Sequence, residues 1–564
     1  MTKRAKFTAT CLLALLPFSA FAEPKAGSYL AGRQAAMNND FEIGARYFVE
    51  SLKADPLNPY LLENALVSYL GLGDMERAVP LAQMIVDAGI SSQMANLTLS
   101  VTAAKNGDWD KVISALDDGR EIGPLVDGLT RAWAEVGKGQ MSAALEAFDS
   151  VIASPGLGAY GLYNKALALA DVGDFEGADA IFAGSPENGL RYTRRGALVH
   201  AEILSQLGRN ADAIALLDTV FGAQTDATLA HMRKVLATDA QLDFDYVNTA
   251  TDGLSEVYLM LSQALVGDAD DGYTLRYSIV ATYLNPANAD ALLMSAELLD
   301  NMGQYDLAAN TFSKVPAADP AYLSAELGRS ETLRKAGRID AAIEVLETLS
   351  LNYPDMPRVF ATAGDTYREN EELDKAKTAY ARALTLYDDT DPLKWFIYYA
   401  RGITNHLLDD WTSAEADFRA ALKLKPDQPQ VLNYLGYSMV ERGINMDEAL
   451  QMIETAVAAE PQNGAIVDSL GWVLFQQGNY EEAVGHLETA ASLMPVDPIL
   501  NDHLGDGLWA VGRFIEARFQ WNRALSFDPT EKDAARIRRK LEIGLDAVLE
   551  QDGEPPLRAK NGDN

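Results

Sequence analysis

Five histidines, a large surplus of carboxylates and a scatter of aromatic rings are the side chains with which this chain could do chemistry. His200, His231, His406, His486 and His503 are its only histidines, and none lies within five residues of another. A zinc site built on one helix face needs two histidines a turn apart with a glutamate between them, and the run His486-Leu487-Glu488-Thr489-Ala490 has neither the second histidine nor that glutamate. Gly267 to Gly272 sets Asp268, Asp270 and Asp271 ahead of a glycine, as a calcium loop does. Ser278 stands where the closing bidentate glutamate is required, so the segment reads as an acidic turn between helices. No glycine-rich phosphate loop occurs, and no serine sits in a nucleophile-elbow sequence. These residues imply no metal, no cofactor and no catalytic group, and the chain is expected not to be an enzyme.

The elements that carry these residues are bounded by composition. At 564 residues, 48% hydrophobic and 23% charged, the chain is too long for one ordinary core and too apolar to be disordered. Lys3, Arg4 and Lys6 precede an apolar stretch from Cys11 to Phe21, and Ala20-Phe21-Ala22 offers small residues where a signal peptidase reads. Residues 1–22 are therefore expected to be a cleaved signal peptide, with cleavage before Glu23 and a periplasmic mature chain. Cys11 comes before the apolar stretch rather than after it, an order unsuited to a lipid anchor. It is the only cysteine, so a mature chain beginning at Glu23 has no disulfide, no thiol nucleophile and no cysteine metal site. The net charge is −34, and removing Lys3, Arg4 and Lys6 takes it to −37. That sign repels phosphate backbones and anionic lipid, which argues against nucleic-acid binding; it favours partners with basic surfaces at encounter, and an acidic surplus serves solubility as well, the commoner of the two roles.

One period runs through the chain. Leu470-Gly471, Gly478, Tyr480, Ala483, Ala490 and Pro495 recur 34 residues later as Leu504-Gly505, Gly512, Phe514, Ala517, Ala524 and Pro529. Taking the small residue of each second helix as a marker gives Gly44, Ala78, Val112, Ala144, Ala178, Ala213, Thr274, Ala308, Ala342, Ala376, Ala414, Ala449, Ala483 and Ala517. Small residues fit where helix axes approach to roughly 8–10 Å. Gly478 suits a left-handed helix end, and Asn479, Asp74 and Asp174 suit caps of the following helix. Asn58-Pro59 and Asp497-Pro498 suit helix starts, and Pro495 and Pro529 suit helix stops.

This pattern resembles the tetratricopeptide repeat (TPR) family, whose unit is a pair of antiparallel helices. The resemblance covers about residues 28 to 530 and implies an all-α, superhelical solenoid of about 14 to 15 repeats, because one unit alone cannot bury its apolar face. Two departures from the period divide the expectation. The 61 residues between the markers at 213 and 274 leave a degenerate unit, with "TLAHMRKVLATDAQL" helical and Asp243 to Gly253 a loop. We therefore expect an N-terminal array over 23–254, a hinge near its end, and a C-terminal array over 255–530. Residues 531–564 are expected to be a capping helix followed by a disordered tail from Gln551.

In the TPR family the second, fifth, ninth and twelfth positions of the first helix face the concave groove. Carried onto this sequence, the resemblance implies a peptide- or protein-binding face made of Phe396, Tyr399 and Ile403, then Asn433 and Tyr437, then Asp468, Trp472 and Phe475, then Asp502, Asp506 and Trp509; the alternative packs Trp472, Phe475 and Trp509 sideways against the neighbouring repeat. The basic clamp that some TPR proteins use for a terminal carboxylate is absent from these positions, so a neutral or basic extended segment is the expected ligand. The stretch from Leu432 to Ala490 resembles the closing repeats of bacterial envelope TPR proteins, some of which are adaptors of carboxyl-terminal processing proteases. The implied function is a non-catalytic periplasmic scaffold or adaptor that delivers protein substrates to an envelope protease. A structural scaffold for envelope polymer export or assembly is the alternative.

Overall fold

The computed structural model describes residues 24–184, 189–222, 226–238, 240–389, 391–554 and 557. The expected signal peptide lies outside the described residues. Those residues form 31 α-helices and no strands. In chain order they are α1 (Pro24–Met37), α2 (Phe41–Leu52), α3 (Pro59–Gly71), α4 (Met75–Asp87), α5 (Gln93–Lys105), α6 (Trp109–Asp117), α7 (Pro124–Gly137), α8 (Met141–Ala153), α9 (Gly158–Asp171), α10 (Phe175–Ala183), α11 (Arg194–Gln206), α12 (Asn210–Phe221), α13 (Ala227–Leu236), α14 (Ala250–Leu265), α15 (Asp271–Leu284), α16 (Ala289–Asn301), α17 (Tyr305–Phe312) and α18 (Tyr322–Lys335). They continue as α19 (Ile339–Asn352), α20 (Pro357–Glu369), α21 (Leu373–Leu386), α22 (Lys394–Leu407), α23 (Trp411–Leu424), α24 (Pro429–Glu441), α25 (Met446–Ala459), α26 (Gly464–Gln477), α27 (Tyr480–Leu493), α28 (Pro498–Ala510), α29 (Phe514–Leu525), α30 (Glu531–Ile543) and α31 (Leu545–Asp552).

Fourteen repeat-type helix pairs account for α1–α12 and α14–α29. We call the first helix of a pair A and the second B. Each of the 14 sequence markers is the fourth residue of a B helix, and each is buried. The capping residues act as their chemistry requires: Asp74, Asp174, Asn58 and Asp497 accept hydrogen bonds from backbone amides of the first turns they precede. Gly478 adopts φ +85°, the left-handed turn that closes α26. Asn479 departs from expectation, since its side chain makes no cap bond to α27.

The chain divides into two compact units, residues 1–342 and 343–564. This corrects the boundary expected at 254/255, and the cause lies in α14 and α15. Only α13 forms within the degenerate unit, ending at Leu236 rather than continuing to Leu242. The irregular segment after it is no free hinge, because Leu242 and Val247 are buried in apolar clusters. The segment returns the chain so that α14 packs on α7 and α9 and α15 packs on α3 and α5. The fully buried Trp133 of α7 lies flat against Gly253, where a β-carbon would sit 2.3 Å from the ring. Arg195 of α11 donates to both oxygens of the buried Glu256 of α14 and reaches Asp290 of α16. Lys105 of α5 donates to the Leu284 carbonyl at the end of α15.

In the C-terminal unit the repeats stack from α20 onward, and the end of the chain also departs from expectation. The cap is two helices that turn at Gly544, and the described residues after Gln551 are packed: α31 runs to Asp552, Arg536 pairs with Glu554, and Leu557 packs on the core, while the rest of the expected tail lies outside the described residues.

Gly253→Ala tests the docking of α14. Helix propensity alone would make the substitution stabilising by about 1 kcal/mol. Overpacking against Trp133 should reverse the sign and destabilise the N-terminal unit by about 1–3 kcal/mol, read from urea unfolding.

Candidate functional site: the A-helix face of the C-terminal unit

The residues implied as a binding face fall on α22, α24, α26 and α28, four successive A helices. Phe396 is 43% exposed and meets Trp395 edge-on at 5.8 Å. Tyr399 is half-buried, 6.1 Å from both Phe418 and Tyr434. Asn433 and Tyr437 are half-buried on α24. Burial, with Glu441 and Asp468 nearby, pushes the Tyr437 hydroxyl above its ordinary range, so it stays a neutral donor.

On α26 and α28 the implied face is partly consumed by packing. Asp468 is only 4% exposed, and its Oδ2 lies 2.8 Å from His503 Nδ1 on α28. The His503 ring stacks on Trp472 at 4.0 Å and 14°, and Phe475 stacks on Trp472 at 4.9 Å and 7°. Phe475 and Asp506 are buried too. The expectation that Asp468, Phe475 and Asp506 present themselves to a ligand is therefore corrected: Asp468 meets His503 of the next A helix, Phe475 packs on Trp472 of its own helix and on Tyr480 of α27, and Asp506 is enclosed by Trp521 of α29 and Lys540 of α30. Asp502 and Asp506 both accept from Lys540 of α30, at 2.8 and 2.7 Å, and Asp506 also accepts from Trp521 Nε1. Trp509 is half-buried, lies over Gly544 and donates to Asp546 at 2.8 Å. Phe396, Tyr399, Tyr437, Trp472 and Trp509 remain as a row of partly exposed rings, with Asn433 and Asp502 between them.

Two participants escaped the sequence reading. His503 belongs to no expected binding position, and Lys540, on the expected capping helix, is fully buried. The signal for His503 was its spacing, 35 residues from Asp468, which is one repeat plus one position. Burial lowers the affinity of His503 for its proton, but Asp468 outweighs that and holds it above its ordinary value. Burial pushes the Asp506 carboxyl up to about 6 against the pull of Lys540. Asn433 Oδ1 and Asp468 Oδ1 are buried without a hydrogen-bond partner. Among the described residues no group of three or more histidine, cysteine or acidic side chains is placed to hold a metal. A cleft of about 440 Å³ in the N-terminal unit, between the end of α3 and α15–α17, is lined by Ile279, Leu292, Leu299 and Lys314 and lies apart from the ring row.

A family model described as "Tetratricopeptide repeat" matches residues 29–93, 129–187, 293–357, 361–429 and 445–498, together more than half of the sequence. The chain belongs to the tetratricopeptide repeat family. A TPR repeat-containing protein of Pseudomonas aeruginosa is 30% identical over 158 residues, 28% of this chain and 26% of its own. Human tetratricopeptide repeat protein 13 is 27% identical over 171 residues, 29% of this chain and 19% of its own. The TPR chain thus spans about a quarter or less of these relatives' length. Among solved structures, the yeast Tom70 structure aligns over 94% of this chain and 97% of its own at 13% identity and TM-score 0.35. The structure of the APC/C hetero-tetramer Cut9-Hcn1 aligns over 93% and 97% at 16% identity and TM-score 0.38.

Two measurements probe the site's electrostatics. His503 binds its proton more tightly in the folded TPR unit than in the unfolded chain. Its stabilisation is complete below pH 6.5, the ordinary histidine value, and is lost as pH rises through the higher folded value. Asp506, raised from 3.8 to about 6, likewise costs stability as pH rises through that window. The urea midpoint of the C-terminal unit should therefore fall as pH rises above 6.5, and His503→Gln should flatten that part of the profile. Lys540→Met leaves the buried Asp506 carboxylate beside the half-buried Asp502 without a cation and should destabilise the unit by about 3–5 kcal/mol in the same assay at neutral pH.

Proposed function

We propose that this TPR chain is an exported, non-catalytic scaffold that grips an extended segment of a partner protein on the A-helix face of its C-terminal unit. One observation carries the reading: rings on four successive A helices stay partly exposed although the fold does not need them so. Aromatic groups supply large contact areas at low entropic cost, which is why they dominate binding surfaces. In the N-terminal unit α14 and α15 pack on the A helices α3, α5, α7 and α9. Phe514, Ile515 and Phe519 are exposed on the B helix α29 and give a second partner an apolar surface on the same unit.

Export rests on the basic, apolar and small-residue order of residues 1–22. No described helix is long and apolar enough to cross a membrane. Delivery of the gripped segment to a periplasmic protease rests on the likeness of residues 432–490 to envelope protease adaptors. A role in envelope polymer export rests on no residue of this chain and is kept as an outcome of the test.

Photocrosslinking in intact cells provides that test. A benzophenone amino acid in place of Phe396 should yield a discrete set of protein adducts, and the same group at Leu351, which is 81% exposed, should not. Tyr399→Ala combined with Trp472→Ala should reduce the Phe396 adducts at least fivefold. A protease or its substrates among them supports the adaptor role, and components of a polymer-export complex support the other. Equal labelling from both positions would remove the binding face.

A further inference from the structure

The last B helix carries large apolar side chains at positions where the other repeats carry none. Ile515 and Phe519 of α29 stand two residues before and two after the marker Ala517, and they are 87% and 60% exposed. In the other thirteen B helices the position two before the marker holds an acidic residue nine times, and otherwise serine, threonine, alanine or glycine. The position two after it never holds an aromatic residue, leucine, isoleucine, valine or methionine in those thirteen. Stacking of repeats therefore does not require Ile515 or Phe519. Four residues apart on one helix, they form a continuous outward stripe, and Phe514 beside them is half-exposed. The charge beside the stripe is equally out of pattern. Arg518 precedes Phe519, and Arg523 follows it by one turn. Neither forms an ion pair among the described residues: Arg518 donates to the Leu541 carbonyl, and Arg523 donates to the Pro495 carbonyl at 2.8 Å. Glu516, the only acidic residue of α29, is taken by Arg513. A chain of net charge −34 thus places two cations without carboxylates next to an exposed apolar stripe.

We propose, building on the second-partner surface of the scaffold reading above, that the Ile515–Phe519 stripe of α29 docks an acidic amphipathic segment of a protein. Its apolar side chains cover Ile515 and Phe519, and its carboxylates pair with the guanidinium groups of Arg518 and Arg523. A guanidinium holds a carboxylate through two parallel hydrogen bonds, which fixes orientation as well as charge. An anionic bilayer is extended and would meet the field of the whole acidic chain. A short segment in contact with α29 answers to the charges within a screening length of about 8 Å at physiological ionic strength, and there the two arginines count most.

The test selects random dodecapeptides displayed on phage against the full chain and depletes them on the Ile515→Glu/Phe519→Glu variant. Both substituted positions are exposed, so the variant should keep the urea midpoint of the parent chain. Peptides that survive should combine large apolar residues with Asp or Glu. Resynthesised and followed by fluorescence anisotropy, they should lose at least tenfold in affinity when their acidic residues are replaced by the amides. Arg518→Gln/Arg523→Gln in the protein should weaken them at least fivefold, by less as salt rises, whereas Arg338→Gln, the same charge change at an exposed position of the N-terminal unit, should stay within twofold. The arginine and peptide substitutions decide the question should Ile515→Glu/Phe519→Glu not fold. Absence of any peptide that depends on the stripe, or full binding by the amide peptides, would overturn the acidic-segment site. Co-sedimentation of the parent chain but not the variant with phosphatidylglycerol–phosphatidylethanolamine vesicles would give the stripe to lipid, and self-association lost in the variant would give it to a second copy; either would overturn the proposal too. The scaffold reading is decided separately by the Phe396 adducts, which Ile515→Glu/Phe519→Glu should retain.

Discussion

The C-terminal unit rests on one contact repeated down the stack: a glycine in helix A beneath a large side chain of helix B. Gly364 lies under Tyr380, Gly402 under Phe418, Gly436 under Ile453, Gly471 under Leu487 and Gly505 under Trp521. A β-carbon at any of these glycines would stand 2.3–2.8 Å from that side chain. The glycine lets two helix axes approach, and the facing ring or branched chain fills what the missing side chain leaves, so the pair reaches the density of a protein interior. Because the large residue varies from isoleucine to tryptophan while the glycine does not, the spacing of the helices is set by the glycine. The side chain opposite adjusts to it.

That contact settles the interior of each repeat and leaves the other side of helix A to be decided by what lies beyond it. In the C-terminal unit the neighbour is the next A helix, and the residues nearest it are spent on joining repeats: Asp468 with His503, Asp506 with Lys540. Residues a turn away from those seams keep part of their surface. The candidate face is therefore narrower than the family pattern implies. Its chemistry is set as much by the seam as by the exposed rings, since Trp472 is held flat between His503 and Phe475 rather than free to turn. A ring fixed in place loses little entropy on meeting a ligand, which favours binding.

What was legible in the sequence follows the same division. The glycines, the B-helix markers and the Asp and Asn caps are local requirements of helix pairing, and they stand where the period puts them. Asn479 failed as a cap although Asp74 and Asp174 succeeded, a difference that turns on side-chain orientation rather than spacing. The packing of Glu554 and Leu557 escapes a reading by period because their partners, Arg536 and the repeat core, lie in other helices. The burial of Asp468 has a related cause, whereas the packing of Phe475 follows the alternative reading of its position. Position within a helix says which way a side chain points, and only the neighbouring helix says whether anything is already there.

Two tryptophans make the point sharply. Trp133 and Trp472 each stand 11 residues before a B-helix marker, Ala144 and Ala483, and so occupy the same slot of the repeat. Trp472 keeps part of its surface, whereas Trp133 is fully buried under Gly253 and donates to Asn164 Oδ1. The difference is supplied by α14, which reaches α7 because the irregular segment before it breaks the 34-residue period. Packing α14 and α15 on α3, α5, α7 and α9 gives that unit a large continuous core, from Ala45 to Ala291. A single interruption of the repeat thus converts one stretch of identical architecture into a filled body and leaves the other with rings still facing outward. The difference in packing between the two tryptophans follows from where the period breaks.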